Sequence, residues 1–408
     1  MVCRSCQCTE LLPVLSLGST PLANALLTRA QLTEQEPRFP LDLAFCPQCS
    51  LVQITATVPP EQLFRDYLYF SSFSDTALAN AKAIAHRMID QLRLGQGSLA
   101  AEVASNDGYL LQFYREKGVP VLGIEPARNI AAVAREQRGI PTIAEFFGAE
   151  LGRKLNREGT RADVVHANNV LAHVADLNGF VEGFAWFLKD TGAAVIEAPY
   201  LKPFLDDLEF DTIYHEHLCY FSLTALTHLF AGAGLEVFDV EQIPIHGGSL
   251  RLFVRRRISG NPPPTIAVTA LLEEETRWGV HDPAAYRDFG RRVLALRDDL
   301  MRTLRDLKAG GARIAAYGAS AKGSTLLNFF GVGADLLDYI VDRSTYKQGL
   351  FSPGTHLEIH SPEMLLQDRP DYVLLLTWNF ADEILAQQDA YRRAGGRFII
   401  PIPRVRIV

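Results

Sequence analysis

Two parts of this 408-residue chain set reactive side chains at spacings that chemistry uses. Near the start, Cys3-x-x-Cys6 and Cys46-x-x-Cys49 form two CxxC knuckles. Four thiolates presented this way can hold Zn²⁺ tetrahedrally, and a full thiolate set leaves no open position for catalysis. We therefore expect a structural zinc on Cys3, Cys6, Cys46 and Cys49, with Cys8 a bystander. Much further along, YHEHLCYFS (residues 214–222) lines up Tyr214, His215, Glu216 and His217. Histidine titrates near neutrality, so the run reads as acid–base equipment. Two other readings stay open, a metal site and a structural hydrogen-bonding stretch. The histidines stand two apart where a helical HExxH site needs four, so a metal would need a third ligand from elsewhere. In an extended conformation His215 and His217 would share one face and Glu216 the other.

A third stretch, EVASNDGYLL (residues 102–111), joins an apolar run to a helical pattern. Small residues there, Ala104, Ser105 and Gly108, are expected to let a ligand approach the backbone beside Glu102. Glu125 closes the next strand, where an acid commonly accepts hydrogen bonds from ribose hydroxyls. The GxGxxG cradle of a dinucleotide pyrophosphate is missing, which favours S-adenosylmethionine over NAD. Asn168 and Asn169 in HANNVLAHV follow a further strand and would face the same cofactor, with His173 just beyond. YGASAKGST (residues 317–325) resembles a P-loop, but Lys322 precedes the second glycine. That order disfavours Walker-type hydrolysis, yet a helix N-terminus carrying Ser320, Lys322 and Gly323 suits a phosphate. His246 in IHGGSLR is a further candidate for substrate contact.

The elements that must position these residues fall into three regions. Residues 1–60 are proline-rich and short of apolar periodicity, a segment that needs a staple to fold. Residues 61–260 alternate strand and helix patterns, from SLAAEVAS to AAVIEAPYL, and end in VFDVEQIPI and SLRLFVRRR, read as a hairpin. That alternation predicts an α/β domain with a covered parallel sheet and an antiparallel strand at its edge. A proline-rich link, SGNPPPTI, introduces residues 261–408, where long helical patterns lead into a second alternating unit. Hydrophobic residues make up 48% and charged ones 21%, the composition of a chain with full cores. The net charge of −7 gives no basic excess for coating nucleic acid. No apolar run nears the ~20 residues a membrane span needs, and MVCRSCQCTELLPV is unlike a signal peptide. We expect a cytoplasmic monomer with neither a nucleic-acid nor a membrane partner.

Taken in chain order, the six motifs resemble the sugar C-methyltransferases of deoxysugar biosynthesis, over essentially the whole chain. The resemblance implies a zinc-binding N-terminal domain, a central class I methyltransferase domain and a C-terminal Rossmann-like domain. It implies methyl transfer from S-adenosylmethionine to C3 of a nucleotide-linked 4-keto deoxysugar. By the same resemblance His217 is the base, with Glu216 and Tyr214 beside it, and His173 and Tyr69 hold or polarise the sugar. The nucleotide sugar would lie between the central and C-terminal domains, its diphosphate on Ser320, Lys322 and Gly323. Removing a proton α to a carbonyl and stabilising the enolate oxygen are tasks such residues can perform. A nicotinamide-dependent oxidoreductase acting on nucleotide sugars is the competing enzyme reading, and binding of NADH would favour it. A zinc-ribbon interaction protein with a degenerate core is the non-enzyme reading, against which the intact His/Glu/Tyr set stands.

Overall fold

The computed structural model describes residues 2–64, 72, 75–244 and 247–408. Three short strands open the chain as an antiparallel meander, β1 (Leu12–Thr20), β2 (Phe39–Phe45) and β3 (Val52–Ile54). After the helix Asp75–Leu92 come β4 (Ala100–Val103), β5 (Val121–Ile124), β6 (Thr142–Ile143), β7 (Ala162–Asn168) and β8 (Leu188–Pro199). These five run parallel, with helices between them. Every residue of β4 is buried, as a strand covered on both faces requires.

The chain then leaves the central sheet. β9 (Cys219–Tyr220) pairs with β3, through Val52–Tyr220 and Gln53–Cys219, and becomes the fourth strand of the N-terminal sheet. The hairpin of β10 (Leu235–Ile243) and β11 (Ser249–Arg256) returns to the centre. The central order is β10-β11-β8-β7-β4-β5-β6, with β11 antiparallel to both neighbours. That is the class I methyltransferase arrangement. The antiparallel strand is thus one in from the edge, where the sequence led us to expect it at the edge itself. Six of the eight residues of β11 are buried, Leu250, Leu252 and Val254 on one face and Ser249, Arg251 and Phe253 on the other, as suits a strand with a neighbour on each side.

The third sheet comprises β12 (Ile314–Tyr317), β13 (Ile340–Val341), β14 (Ile359–His360), β15 (Tyr372–Leu375), β16 (Arg397–Ile400) and β17 (Arg406–Ile407). Its order is β14-β13-β12-β15-β16-β17, all parallel but the last. The strand order reverses between β12 and β15, and the crevice at such a switch point is where ligands of open α/β sheets sit. One continuous set of buried apolar side chains runs from Leu15 and Phe45 through Phe184 and Phe210 to Leu327 and Ile399. Among the described residues no helix is long and apolar enough to cross a membrane.

Candidate active site

The two knuckles meet. Sγ atoms of Cys3, Cys6, Cys46 and Cys49 all lie within 4.8 Å of one another. Cys3–Cys49 and Cys6–Cys46 are each 3.5 Å apart. A disulfide would need about 2.05 Å, whereas tetrahedral thiolates 2.3 Å from Zn²⁺ stand roughly 3.8 Å apart. The donor set fits zinc, which would crosslink the two knuckles. Cys8 stays outside the cluster, with Sγ 3.9 Å from the Glu10 carbonyl.

The turn after β4 takes an unusual path. Ala104 (φ +53°), Asn106 (φ +48°) and Gly108 (φ +78°) all adopt left-handed backbone, a strain that non-glycine residues hold where the surroundings enforce it. Glu125, just past β5, is the enforcing group. Its Oε2 accepts the Asn106 N–H at 2.9 Å and its Oε1 the Ala127 N–H at 2.8 Å. Each oxygen keeps a second lone pair for a ribose hydroxyl. The small residues do less than the sequence implied. A Cβ on Gly108 would stand 2.8 Å from Ile140 Cγ1, so this glycine serves packing. Ser105 is fully buried, and Ala104 alone of the three is partly open.

Along the same sheet edge lie acceptors without protein donors. Glu102 Oε2, Asn168 Oδ1 and Asn169 Oδ1 are buried and have no hydrogen-bond partner among the described residues. Burial pushes the Glu102 carboxyl well above the usual carboxylate range, with the Glu125 and Asp107 charges adding to it. Tyr109, which the sequence reading passed over, reaches Asn168 Nδ2 with its hydroxyl at 3.4 Å. Beside Glu125 opens a cavity of 290 Å³ lined by Pro126, Arg128, Ala144, Glu145 and Phe146. Unsatisfied acceptors for an ammonium group, an acid for ribose and a hollow with Phe146 in its wall together fit S-adenosylmethionine. None of the hollow's residues carries a motif, so only the fold gathers them.

Below that edge, His166 on β7 is 0% exposed and its Nε2 meets the Tyr114 hydroxyl at 2.7 Å. Burial takes its imidazole down to about 3, and the Arg251 charge adds to the effect. Above pH 6.5 both folded and unfolded chains hold it neutral. As pH falls below that value only the unfolded chain gains the proton, so stability is lost progressively towards pH 3. His166→Gln removes this titration. In urea unfolding the wild type should lose about 2 kcal/mol more than the variant between pH 7 and pH 5. Equal pH sensitivity in the two proteins would refute the burial argument.

YHEHLCYFS is extended at Cys219–Tyr220 but not at its histidines. The His217 N–H donates to the Tyr214 carbonyl at 2.8 Å, closing residues 214–217 into a turn ahead of β9. His215 and His217 therefore part company. His215, 2% exposed, sends Nε2 to the Pro40 carbonyl at 3.2 Å and packs edge-on against Phe39. His217 sits with Tyr214, ring centroids 4.1 Å apart, and with His173, centroids 4.8 Å apart. His173 belongs to the short helix Leu171–His173 that follows β7 and its two asparagines. Desolvation holds its imidazole down to about 4. The Glu216 carboxylate accepts from Asn24 Nδ2 at 2.7 Å, which ties the turn to the N-terminal region. Tyr69 lies outside the described residues.

Hydrogen bonds fix the tautomer of His217. Its Nδ1 is 3.0 Å from the Thr212 carbonyl, which can only accept, so Nδ1 carries the proton. Nε2 then presents a lone pair, and the Tyr214 hydroxyl donates to it at 2.9 Å. A basic nitrogen beside a second, uncharged imidazole is equipment for moving one proton.

On the C-terminal sheet, Ser320 caps the helix Ala321–Phe330, its Oγ accepting the Gly323 N–H at 3.1 Å. Gly323 is read differently once seen in place. A Cβ there would stand 2.8 Å from Leu376 Cβ, so the glycine allows helix and sheet to close. Asp342 Oδ2 takes the Ala319 N–H at 2.7 Å. Lys322 lies over the Trp378 ring, Nζ 5.4 Å from its centroid. Its charge also eases the buried carboxyl groups of Glu209 and Asp211, which burial pushes upward, Glu209 to about 7. His246 lies outside the described residues. The neighbouring Gly247 (φ +88°) is pressed against the Glu209 carboxylate.

Known families and proteins are similar to this chain. Residues 3–64 match the family described as "Putative zinc binding domain", residues 92–240 a methyltransferase domain, and residues 244–403 a C-methyltransferase C-terminal domain. The chain is 36% identical over 406 residues to C-methyltransferase NovU of Streptomyces niveus, covering 100% of this chain and 96% of that protein. Among solved structures, magnesium protoporphyrin IX methyltransferase of Synechocystis with bound S-adenosylmethionine aligns with a TM-score of 0.34 at 11% identity, over 44% of this chain and 79% of that one. The PH0226 protein of Pyrococcus horikoshii aligns with a TM-score of 0.38 at 14% identity, over 49% of this chain and 100% of that one.

Proposed function

Because this chain belongs to the C-methyltransferases that use S-adenosylmethionine, we propose that it methylates C3 of a nucleotide-linked 4-keto deoxysugar. The observation that carries the reading is the chain of hydrogen bonds from the Thr212 carbonyl through His217 to Tyr214. It turns the Nε2 lone pair towards the Tyr214 hydroxyl, and a prepared base is what a carbon acceptor needs, because C3 is nucleophilic only after its proton is removed. That proton ends on His217 Nε2, either directly or by way of the Tyr214 hydroxyl. Neutral His173 beside it can donate to the C4 oxygen as the enolate forms, and Tyr69 joins it at the sugar. Glu216, held by Asn24, keeps the turn in place.

S-adenosylmethionine supplies the electrophilic methyl group, which needs only to lie in line with C3. Glu102, Ala104, Ser105, Gly108, Glu125, Asn168 and Asn169 form or shape its seat in our reading. The nucleotide end is assigned to Ser320, Lys322, Gly323 and His246, with the sugar reaching back towards His217. We place the domains at 1–60, 61–260 and 261–408, and propose a cytoplasmic monomer working without nucleic acid or membrane. The test is a panel of nucleotide-linked sugars incubated with deuteromethyl-labelled cofactor and read by mass spectrometry. A gain of one labelled methyl on a 4-keto sugar, with none on the 4-hydroxy counterpart, is expected. Equal labelling of both sugars sinks the enolate route.

A further inference from the structure

The segment leading into the turn that carries His217 is held by helices of the C-terminal region at three points. Trp378 Nε1–H donates to Asp211 Oδ2 at 2.7 Å. The Thr325 hydroxyl donates to the Ile213 carbonyl at 3.3 Å. Phe210 stacks on Phe330, ring centroids 4.8 Å apart and planes 19° from parallel. Trp378 follows β15 and Thr325 lies in the helix after β12, so the anchors flank the switch-point crevice. Asp211 itself is 0% exposed. A carboxylate at that depth costs stability, and across the domain interface the indole gives it a hydrogen bond while the Lys322 charge eases it.

Directly after Asp211 comes the carbonyl on which the site turns. Thr212 C=O accepts from His217 Nδ1 at 3.0 Å and from the Tyr220 hydroxyl at 3.2 Å. A shift of the short helix Phe210–Thr212 would carry that oxygen with it and release the ring from its tautomer. We infer that Trp378 and Asp211 are positioning residues for proton abstraction, the indole fixing through Asp211 the Thr212 carbonyl that orients His217. The inference rests on the reading of His217 as the base. It gives the C-terminal domain a share in the chemistry besides holding substrate, since the base is aligned only when that domain is seated.

The test follows exchange of the C3 proton with D₂O, on the sugar that the wild type methylates and with S-adenosylhomocysteine bound. Trp378→Phe keeps an aromatic ring under Lys322 and removes the indole N–H. Exchange and kcat should fall together, about 10- to 100-fold, the loss expected of a misplaced catalytic group. KM for the sugar, affinity for S-adenosylhomocysteine and zinc content should stay at the wild-type level. Asp211→Asn retains an oxygen that can accept the indole N–H and should keep most of the rate. Asp211→Ala should match Trp378→Phe. Unchanged exchange in Trp378→Phe, or a loss confined to KM, overturns the inference. So does an Asp211→Asn protein as impaired as Asp211→Ala, because charge and not the bond would then matter. Exchange that persists in His217→Asn is a separate failure, that of the base assignment.

Discussion

Replacing His217 with asparagine should stop methyl transfer while leaving S-adenosylhomocysteine binding nearly unchanged. Asparagine can still donate to the Thr212 carbonyl, so the turn of residues 214–217 keeps its internal bonds, but nothing basic remains to meet the Tyr214 hydroxyl. Positioned general bases contribute about 10²- to 10⁴-fold, and a carbon acid without one should sit at the upper end of that range. The cofactor edge, built on β4, β5 and β7, draws none of its acceptors from this turn. Calorimetry with S-adenosylhomocysteine and labelled-methyl mass spectrometry therefore separate the two properties. Loss of cofactor binding would make the histidine structural. Retained turnover would move the base elsewhere, with His173 the next nitrogen, though desolvation leaves it a weak base at about 4.

Much of this arrangement could be read from residue types. Two CxxC pairs admit few meanings, and the four sulfurs do converge. Strand and helix alternation announced both parallel sheets, because buried parallel strands are nearly all apolar. What escaped the sequence was set by distance along the chain. β9 has only two residues, too few to show a period, and its partner β3 lies over 150 residues earlier. The extended reading of YHEHLCYFS failed for a backbone reason, the His217 N–H closing on the Tyr214 carbonyl, which no side chain advertises. A Cβ at Gly108 or Gly323 would meet a neighbouring side chain, a packing need that neither motif shows. Asp211 and Trp378 are 167 residues apart, and neither belongs to a motif. Sequence spacing exposes ligands and periodic elements. It says little about which carbonyl a histidine will find.

Cys46→Ser should cost the protein its zinc, and with it the alignment of the catalytic turn. Structural zinc sites are worth roughly 10–16 kcal/mol of folding free energy, so a protein that no longer holds its zinc forfeits a large part of its stability. The knuckles also connect to the turn. Gln53 Oε1 accepts the N–H of Arg4, inside the first knuckle, at 2.8 Å, and its Nε2 donates to the carbonyl of Val2, just before it, at 3.2 Å. The same residue pairs through its backbone with Cys219 on β9, two residues past His217. The Arg4 guanidinium reaches the Ile54, Ala56 and Ala175 carbonyls, bracing β3 against the segment that follows His173. Loosening the knuckles therefore frees both histidines. Elemental analysis should find the equivalent of zinc gone and soluble yield reduced, and the protein that stays soluble should lose methyl transfer with it. Cys8→Ser, outside the cluster, should keep zinc and activity. One zinc per chain in Cys46→Ser would mean a different ligand set. Zinc lost with full turnover would confine the metal to folding and cut the link from Gln53 to the base.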